Sequence, residues 1–221
     1  MELVQQLLPF LDSFNRESPR DFTISLCNLD AYNAIDSVNL WPNNRMLLIG
    51  EEFSGKSTLA KIWGSKHNAV FLSHGSSLDS LDGTAIIVED IDALTHDQWL
   101  FHLINICGQN SIALLMTSKC MPKYCLQDLQ SRMNATFKTV IKSPDDMLIQ
   151  ILLAKYFSEY QILLGQEVIN YISKIIDRSY ASIKTVVDDI NRYSMRLKKP
   201  VTINLVKEFV EFSNDYNMRN E

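Results

Sequence analysis

The stretch LLIGEEFSGKST, residues 47–58, limits the possible folds more than any other part of this chain. It contains GEEFSGKS, which fits the pattern G-x-x-x-x-G-K-[ST] between an apolar run and a helical stretch. In such a loop, Gly50 and Gly55 let the backbone turn its N–H groups inward around phosphate oxygens. Lys56 would reach the β- and γ-phosphates, and the Ser57 hydroxyl would hold Mg²⁺. The stretch therefore predicts a buried strand, a phosphate-binding loop and a helix, in that order.

The chain up to about residue 142 alternates short apolar runs with helical stretches. The runs are RMLLI (45–49), AVFL (69–72), AIIV (85–88), SIALLMT (111–117) and FKTVI (137–141). Short runs rich in Ile, Val and Leu are typical of parallel strands that are covered on both faces. Helical stretches over 57–67 and 95–107 separate some of these runs. The pattern predicts an α/β fold in which a parallel sheet forms the middle of an αβα sandwich.

Beyond residue 142 the apolar residues recur three and four positions apart, as in amphipathic helices. In SPDD, Ser143 is predicted as the N-cap and Pro144 as the first residue of the first such helix. Its apolar face is predicted to carry Leu148, Ile151, Leu152 and Tyr156. Four short helices would form a small all-helical domain. We therefore expect one domain over residues 13–142 and a second over residues 143–221.

Composition excludes several classes of protein. With 21 Lys and Arg against 26 Asp and Glu, the formal charge is −5, which gives no general attraction to nucleic acid. The basic run NRYSMRLKKP (191–200) is interpreted as a solvated helix end. The four cysteines form no CxxC pair, so we expect buried or incidental thiols rather than a zinc site. No apolar run approaches the roughly 20 residues that span a bilayer, and no export signal is visible. These features predict a cytoplasmic protein that does not contact membranes.

Acidic residues follow the third apolar run, in TAIIVEDIDAL (84–94). A strand that ends in acids can place one carboxylate beside a metal ion and another beside the attacking water. Glu89 is predicted at the metal and Asp90 at the water, although an exposed acidic cluster at a strand end is the alternative. Because Glu89 is longer and Asp90 shorter than the usual residues, we expect slow or absent turnover of a bound nucleotide.

A polar pair ends the next apolar run. Thr117 and Ser118 are placed where a hydroxyl could touch a γ-phosphate or its water. Capping of the strand end explains the pair equally well, and the spacing alone does not separate the two interpretations.

Several of these stretches together resemble an AAA+ module, and within that superfamily the DnaA initiator clade. The resemblance rests on LFHLIN (100–105), TSKCMPKYCLQDLQSRM (117–133) and ASIKTVVDDINRY (181–193), and it covers nearly the whole chain. It implies an AAA+ fold that ends in a helical lid and binds ADP or ATP with Mg²⁺.

Three further positions acquire a role through this resemblance. Arg132 in SRM resembles an arginine finger, which would offset charge on a nucleotide held by a neighbouring subunit; an ordinary surface Arg in a salt bridge is the alternative. Lys184 stands where the family usually carries a sensing Arg, and it lacks the bidentate fork. Asn28, in DFTISLCNLDAY, matches a segment that lies against adenine. The nucleotide-binding residues implied are Gly50, Ser54, Gly55, Lys56, Ser57, Thr58, Asn28, Thr117 and Lys184.

The N-terminal stretch QQLLPF (5–10) resembles the peptide by which short relatives of the Hda type dock on the DNA polymerase III β sliding clamp. Gln5, Leu8 and Phe10 would fill pockets of a groove, and Pro9 would limit the entropy lost on docking. Residues 1–12 are therefore predicted as a clamp-binding peptide. An amphipathic helix that packs on its own domain is the alternative.

These features favour a regulator of replication initiation that binds adenine nucleotide, docks on the sliding clamp and presents Arg132 to ATP bound by the initiator DnaA. We expect no DNA-binding domain after the lid, no sequence-specific DNA binding, and self-association through the AAA+ interface. A self-contained ATPase such as a helicase loader is the alternative of enzyme class. A small-molecule kinase and an AAA+ scaffold without nucleotide are further alternatives.

Overall fold

The computed structural model describes residues 22–78, 81, 85–93 and 97–218, with side chains up to Ser213. The chain forms two compact units and passes from one to the other between Lys142 and Ser143. Across the described ranges, no helix combines the length and the apolar character needed to cross a bilayer.

A five-stranded parallel sheet forms the centre of the first unit. The strands are β1 Arg45–Gly50, β2 Val70–Phe71, β3 Ala85–Val88, β4 Ala113–Ser118 and β5 Phe137–Ile141, and their order is β2-β3-β4-β1-β5. β1 lies between β4 and β5, and its Met46 lies beside Leu115 on β4 and Phe137 on β5. All five predicted strands are confirmed; the aliphatic runs of β1, β3 and β4 are buried on both faces, whereas the edge strand β2 is exposed.

Helices cover the two faces of this sheet. They are α1 Leu29–Ile35, α2 Lys56–His67, α3 Asp97–Gln109 and α4 Gln127–Asn134. Leu47 belongs to an apolar core that α3 and α4 complete, whereas the alternate residues Met46 and Leu48 are equally inaccessible to solvent. Since side chains along a strand alternate between faces, both faces of β1 are covered. The predicted αβα sandwich is confirmed.

The second unit contains four helices in its described part. They are α5 Asp146–Glu159, α6 Gln166–Ile175, α7 Tyr180–Leu197 and α8 Ile203–Met218. One apolar core joins all four, with Phe157 from α5, Ile172 from α6, Val187 from α7 and Val206 from α8 fully buried. The change from strand to helix periodicity after residue 142 is thus confirmed.

Two details of α5 differ from the sequence prediction. The N-cap is Asp145 and not Ser143, because the Asp145 carboxylate accepts a hydrogen bond of 2.8 Å from the Leu148 N–H. The buried face carries Leu148, Ile149, Leu153 and Phe157, whereas Ile151, Leu152 and Tyr156 are only half-buried. Nine of the fourteen residues of this helix are apolar, too many for one face, so its periodicity leaves the inward face ambiguous.

The order of the strands creates a crevice between the carboxyl ends of β1 and β4. After β1 the chain crosses to β2 at one edge of the sheet, and after β4 it crosses to β5 at the other edge. Such a reversal of direction is where open α/β sheets bind ligands. The loop after β1 therefore lies at the usual ligand position of this class of fold.

Candidate nucleotide-binding site

The predicted phosphate loop joins β1 to α2 and has a left-handed backbone at two positions. Phe53 has φ of 64° and Gly55 has φ of 92°. The left-handed conformation is easy for Gly55 but costs free energy at Phe53, whose ring is half exposed. Gly55 is the N-cap of α2, and no side chain caps its first turn. Backbone N–H groups of Lys56, Ser57 and Thr58 are therefore free of side-chain caps, as an anion-binding helix start requires.

Gly50 is needed where β1 enters the loop. A Cβ atom at Gly50 would lie 2.6 Å from the Ser54 hydroxyl and 3.1 Å from the Ile141 Cβ. The loop can therefore fold back over the end of β1 only when this position carries no side chain.

The Lys56 ammonium lies over the loop and is almost fully buried. It donates hydrogen bonds of 2.9 Å to the carbonyl oxygens of Gly50 and Glu51. Burial lowers the pKa of Lys56, and the charges of Asp90 and Asp92 act in the opposite direction. Because an ammonium has three N–H donors, one donor remains for a phosphate oxygen.

Two buried oxygen atoms near the predicted site have no hydrogen-bond partner: the Ser54 hydroxyl and Oε1 of Glu89. An unsatisfied buried polar group is costly, so each of these atoms is expected to acquire a partner when a ligand binds. Ser54 lies within the loop, and Glu89 follows β3. The Ser57 hydroxyl, by contrast, is exposed at the start of α2.

The acid that follows Glu89 is tied to the next strand. The backbone N–H of Asp90 donates a 3.0 Å hydrogen bond to Oγ1 of Thr117, which is fully buried. Asp90 has φ of 50°, a left-handed conformation, and its side chain is exposed. Thr117 thus caps a strand end, which is one of the two roles predicted for it from the sequence. Because its oxygen acts as the acceptor in this bond, the hydroxyl proton remains available for another acceptor.

Ser118 and Asp92 form a second tie at this edge of the sheet. The Ser118 hydroxyl donates a 3.0 Å hydrogen bond to Oδ1 of Asp92, which also accepts the N–H of Lys119 at 3.0 Å. The Lys119 ammonium in turn pairs with Glu52 in the loop at 3.1 Å. This hydrogen bond raises the pKa of Lys119. The pair reduces the repulsion that Glu52 would exert on a phosphate.

Asn28 and Phe22 support the loop from outside. Asn28 Nδ2 donates to the Thr23 carbonyl at 2.9 Å, and its Oδ1 accepts the Ser25 N–H at 2.8 Å. These two bonds fold the segment that starts with Phe22, whose ring contacts Gly55: a Cβ there would lie 2.8 Å from Phe22 Cε2. Asn28 therefore acts here by shaping the segment that touches the loop.

Arg132 lies in the last turn of α4 and is half-buried. Its guanidinium lies 5.0 Å from the centre of the Phe101 ring on α3, and no carboxylate pairs with it among the described side chains. The charges of Asp90, Asp92, Lys119 and Glu52 contribute to the pKa of Lys56. The charge of Arg132 lowers the pKa of Arg45, at the start of β1. The loop follows the other end of β1, about 17 Å away along the strand.

Lys184 is engaged inside the helical unit. Its ammonium lies 3.5 Å from Asp188 and 3.8 Å from Glu159, and it also lies over the rings of Tyr156 and Tyr160. These contacts occupy the cation within its own helices. The remaining predicted positions, Gln5, Leu8, Pro9 and Phe10, lie outside the described residues.

Three residues with structural roles at the site were not identified from the sequence. Asp97 accepts the N–H groups of Cys125 and Leu126 at 2.8 and 3.1 Å, which anchors the start of α4 beside the start of α3. Asp92 belongs to the same acidic run as Glu89, so the pattern EDID contained its signal. Arg45 is a charged residue at the first position of an otherwise apolar strand, which was a second available signal.

Comparison with known proteins identifies the relatives of this arrangement. No family model matches the chain. The chain is 28% identical over 156 residues to the chromosomal replication initiator protein DnaA of Buchnera aphidicola subsp. Cinara cedri, which covers 66% of this chain. It spans about a third, 34%, of the length of that curated relative.

Solved structures agree with this sequence match. Domain III of the Thermotoga maritima replication initiation protein DnaA superposes with a TM-score of 0.66 at 16% identity, over 85% of this chain and 94% of that one. A replication initiator DnaA bound to AMPPCP and single-stranded DNA gives a TM-score of 0.61 at 15% identity, over 84% and 69%.

The parallel sheet, the loop after β1 and the helical unit that follows have the fold of the AAA+ domain of DnaA. That agrees with the fold predicted from the sequence. The chain is thus similar in sequence to one DnaA initiator and in fold to domain III of another.

Proposed function

We propose that this protein binds an adenine nucleotide in the loop at residues 50–58 and takes part in the control of replication initiation. The uncapped first turn of α2, the spare donor of Lys56 and the unpartnered Ser54 hydroxyl support phosphate binding. A similar solved DnaA carries AMPPCP, a nucleotide analogue. ADP or ATP is therefore the proposed ligand.

A magnesium ion would be held by Ser57 and Glu89. The unpartnered Oε1 of Glu89 supports this assignment. No group of three or more His, Cys, Asp or Glu that could bind a metal occurs in the described part of the chain. Two protein oxygens suit Mg²⁺, which usually keeps several waters and binds substrate phosphates. The ion would neutralise negative charge on the phosphates beside the loop.

The proposed activity on the partner depends on Arg132. We infer that its guanidinium stabilises negative charge on ATP bound by the initiator DnaA, so that hydrolysis occurs at the partner's site. One observation carries this proposal: the Arg132 guanidinium is held by an aromatic ring and not by a carboxylate. Its donors therefore remain available to an anion. The end of α4 lies by the start of β1, whereas the loop follows the other end of that strand, which supports action of Arg132 on another molecule's nucleotide.

Docking on the DNA polymerase III β sliding clamp through residues 5–10 is the proposed means of reaching the initiator. The stretch QQLLPF supports this part by resemblance alone. Self-association through the AAA+ interface would use the same Arg132 surface and is a competing use of it.

The test measures ATP hydrolysis by purified initiator on clamp-loaded DNA. Wild-type protein is expected to stimulate turnover, and Arg132→Ala is expected to lose the effect by about 10³-fold or more if the group acts as arginine fingers do. Arg192→Ala is the matched control, since Arg192 is exposed and pairs only with Asp189 on its own helix. Equal stimulation by wild type and Arg132→Ala would end the proposal. A variant without residues 1–12 tests the clamp contact separately.

An intrinsic ATPase is the second candidate, and the buried Oε1 of Glu89 favours it. If the protein hydrolyses its own ATP, turnover should occur without clamp or initiator, and Lys56→Ala and Glu89→Gln should both abolish it. Clamp-independent turnover that survives Arg132→Ala would favour this function over the regulator.

A further inference from the structure

Arg45 is a largely buried cation, and its Nε atom has no hydrogen-bond partner in the described part of the chain. It is the first residue of β1 and is 5% exposed. No salt bridge joins Arg45 to any carboxylate within the described ranges. A charge removed from water without a partner destabilises a fold, and an apolar side chain of similar volume usually fits such a place better. Packing alone therefore does not explain an arginine at this position.

A second arginine, Arg132 on α4, lies near Arg45. Burial lowers the pKa of the Arg45 guanidinium, and the positive charge of Arg132 lowers that pKa further. The chain path agrees with this proximity, because α4 ends at Asn134 and leads directly into β5, whose first residue lies beside Met46. Arg45 lies two positions before Leu47 on β1 and therefore faces the side of the sheet that α3 and α4 cover, where Arg132 lies over the Phe101 ring.

The other neighbours of the pair do not neutralise it. Cys107 faces Arg45, but burial raises the pKa of its thiol to about 12, so the thiol is uncharged near neutral pH. Phe101 offers its ring face to Arg132 at 5.0 Å, which attracts the cation while leaving its N–H donors free. Among the described residues, no carboxylate therefore forms an ion pair with either of these two cations.

We propose that Arg45 is a positioning residue for Arg132. Its buried charge prevents the Arg132 guanidinium from folding in against the start of β1, and it adds to the positive field that meets a phosphate group of a nucleotide held by a second protein molecule. The inference rests on the proposed function for the identity of that nucleotide. The anion-binding property belongs to this chain alone and can be measured without a partner. Arg45 therefore acts through Arg132 and does not itself contact the phosphate.

The first experiment separates charge from packing at position 45. Arg45→Met keeps a long unbranched stem without the charge, Arg45→Lys keeps the charge without the fork, and Arg192→Met removes an exposed arginine elsewhere. In the initiator assay, Arg45→Met should lower stimulated turnover by about tenfold at saturating protein, with half-maximal concentration unchanged. Arg45→Lys should retain most of the activity, and Arg192→Met should behave as wild type. The melting temperature of Arg45→Met should be at least that of wild type, because this variant lacks the unpaired charge at position 45.

A second measurement works even if the chain does not stimulate any initiator. NMR follows the Nε–Hε resonance of Arg132, which is assigned by its loss in Arg132→Ala. Excess ADP occupies the loop, and tripolyphosphate is then titrated as the probe anion. The resonance should shift in wild type and Arg45→Lys, and the apparent affinity should fall by about threefold or more in Arg45→Met.

Each outcome decides between the two proposals. If Arg132→Ala loses stimulation but Arg45→Met does not, the regulator function stands and the role of Arg45 is overturned. If neither wild type nor any variant stimulates ATP hydrolysis by the initiator, the regulator function fails. Independently of that result, equal tripolyphosphate affinities in wild type and Arg45→Met would overturn the role of Arg45. A marked loss of stability in Arg45→Met would show a structural arginine and would also overturn it.

Discussion

Replacement of Gly55 by alanine tests whether the loop is packed as described. Gly55 has φ of 92°, and a new Cβ would lie 2.8 Å from Phe22 Cε2 and 3.3 Å from Cδ2. Gly75 is the matched control, because it has φ of 78° and a Cβ there would meet no atom within 4 Å. The two substitutions therefore share the backbone strain, and only Gly55→Ala adds a collision with a ring.

The magnitudes follow from these two terms. A left-handed alanine costs about 1–2 kcal/mol, and the loss of a glycine from the unfolded chain offsets about 0.4–1 kcal/mol of that. Phe22 is 5% exposed and stacks on Tyr32 with ring centres 6.2 Å apart, so its ring cannot move aside freely. Forcing an extra carbon against such a ring costs about 1–3 kcal/mol. Gly75→Ala should lower the free energy of unfolding by about 1 kcal/mol, and Gly55→Ala by about 2–4 kcal/mol.

Urea denaturation followed by far-UV circular dichroism measures both variants. The double variant Phe22→Leu with Gly55→Ala supplies the cycle, since a smaller side chain at position 22 should remove part of the collision. The reasoning is refuted if Gly55→Ala and Gly75→Ala cost the same, or if Phe22→Leu and Gly55→Ala add without interaction. Nucleotide binding by Gly55→Ala should also weaken, because the displaced loop no longer directs its N–H groups inward.

Two further predictions use the titrating groups. Burial lowers the pKa of Lys56, so between that lowered pKa and the ordinary value of 10.5 the unfolded chain binds more protons than the folded chain. The free energy of unfolding of wild type should therefore rise relative to that of Lys56→Met as the pH increases through this window. Urea denaturation measures both proteins, and midpoints that keep a constant separation would contradict the prediction. Iodoacetamide near neutral pH should modify the exposed Cys120 and Cys125 far faster than Cys107, because burial raises the pKa of the Cys107 thiol to about 12. Peptide mass spectrometry measures the labelling rates. Fast labelling of Cys107 in the folded protein would contradict the packing of α3.

The loop is the part of the site that could be predicted from the sequence. Glycines at positions 50 and 55 with Lys56 between a strand and a helix allow few other structures, because the requirement for positive φ and close backbone approach is local. The rhythm of apolar residues likewise predicted five strands before residue 142 and four helices after it. The helix faces were less predictable: α5 is apolar nearly all round, so only packing selected Ile149 and Leu153 for the core.

The carboxylates and hydroxyls beyond the loop illustrate what remained open. Thr117 could be a strand cap or a ligand of a phosphate, and only the pairing of β4 beside β3 placed its hydroxyl against the N–H of Asp90. Asp97 is an ordinary helix-start residue in the sequence, yet in the structure it anchors a different helix. Such roles depend on partners about 28 positions away in the chain, and no local pattern encodes them.

The sequence by itself determined the two kinds of layer in this protein and the loop that could hold a phosphate, since periodicity and glycine spacing act over a few neighbouring residues. The tertiary structure alone decided which strands are adjacent and which charges share a neighbourhood. Arg45 and Arg132 are 87 positions apart in the sequence, and Arg132 lowers the pKa of Arg45 because α4 leads into β5, which pairs with the start of β1. Electrostatic interaction depends on distance in space and not on separation along the chain, so only the fold could bring these two cations near each other.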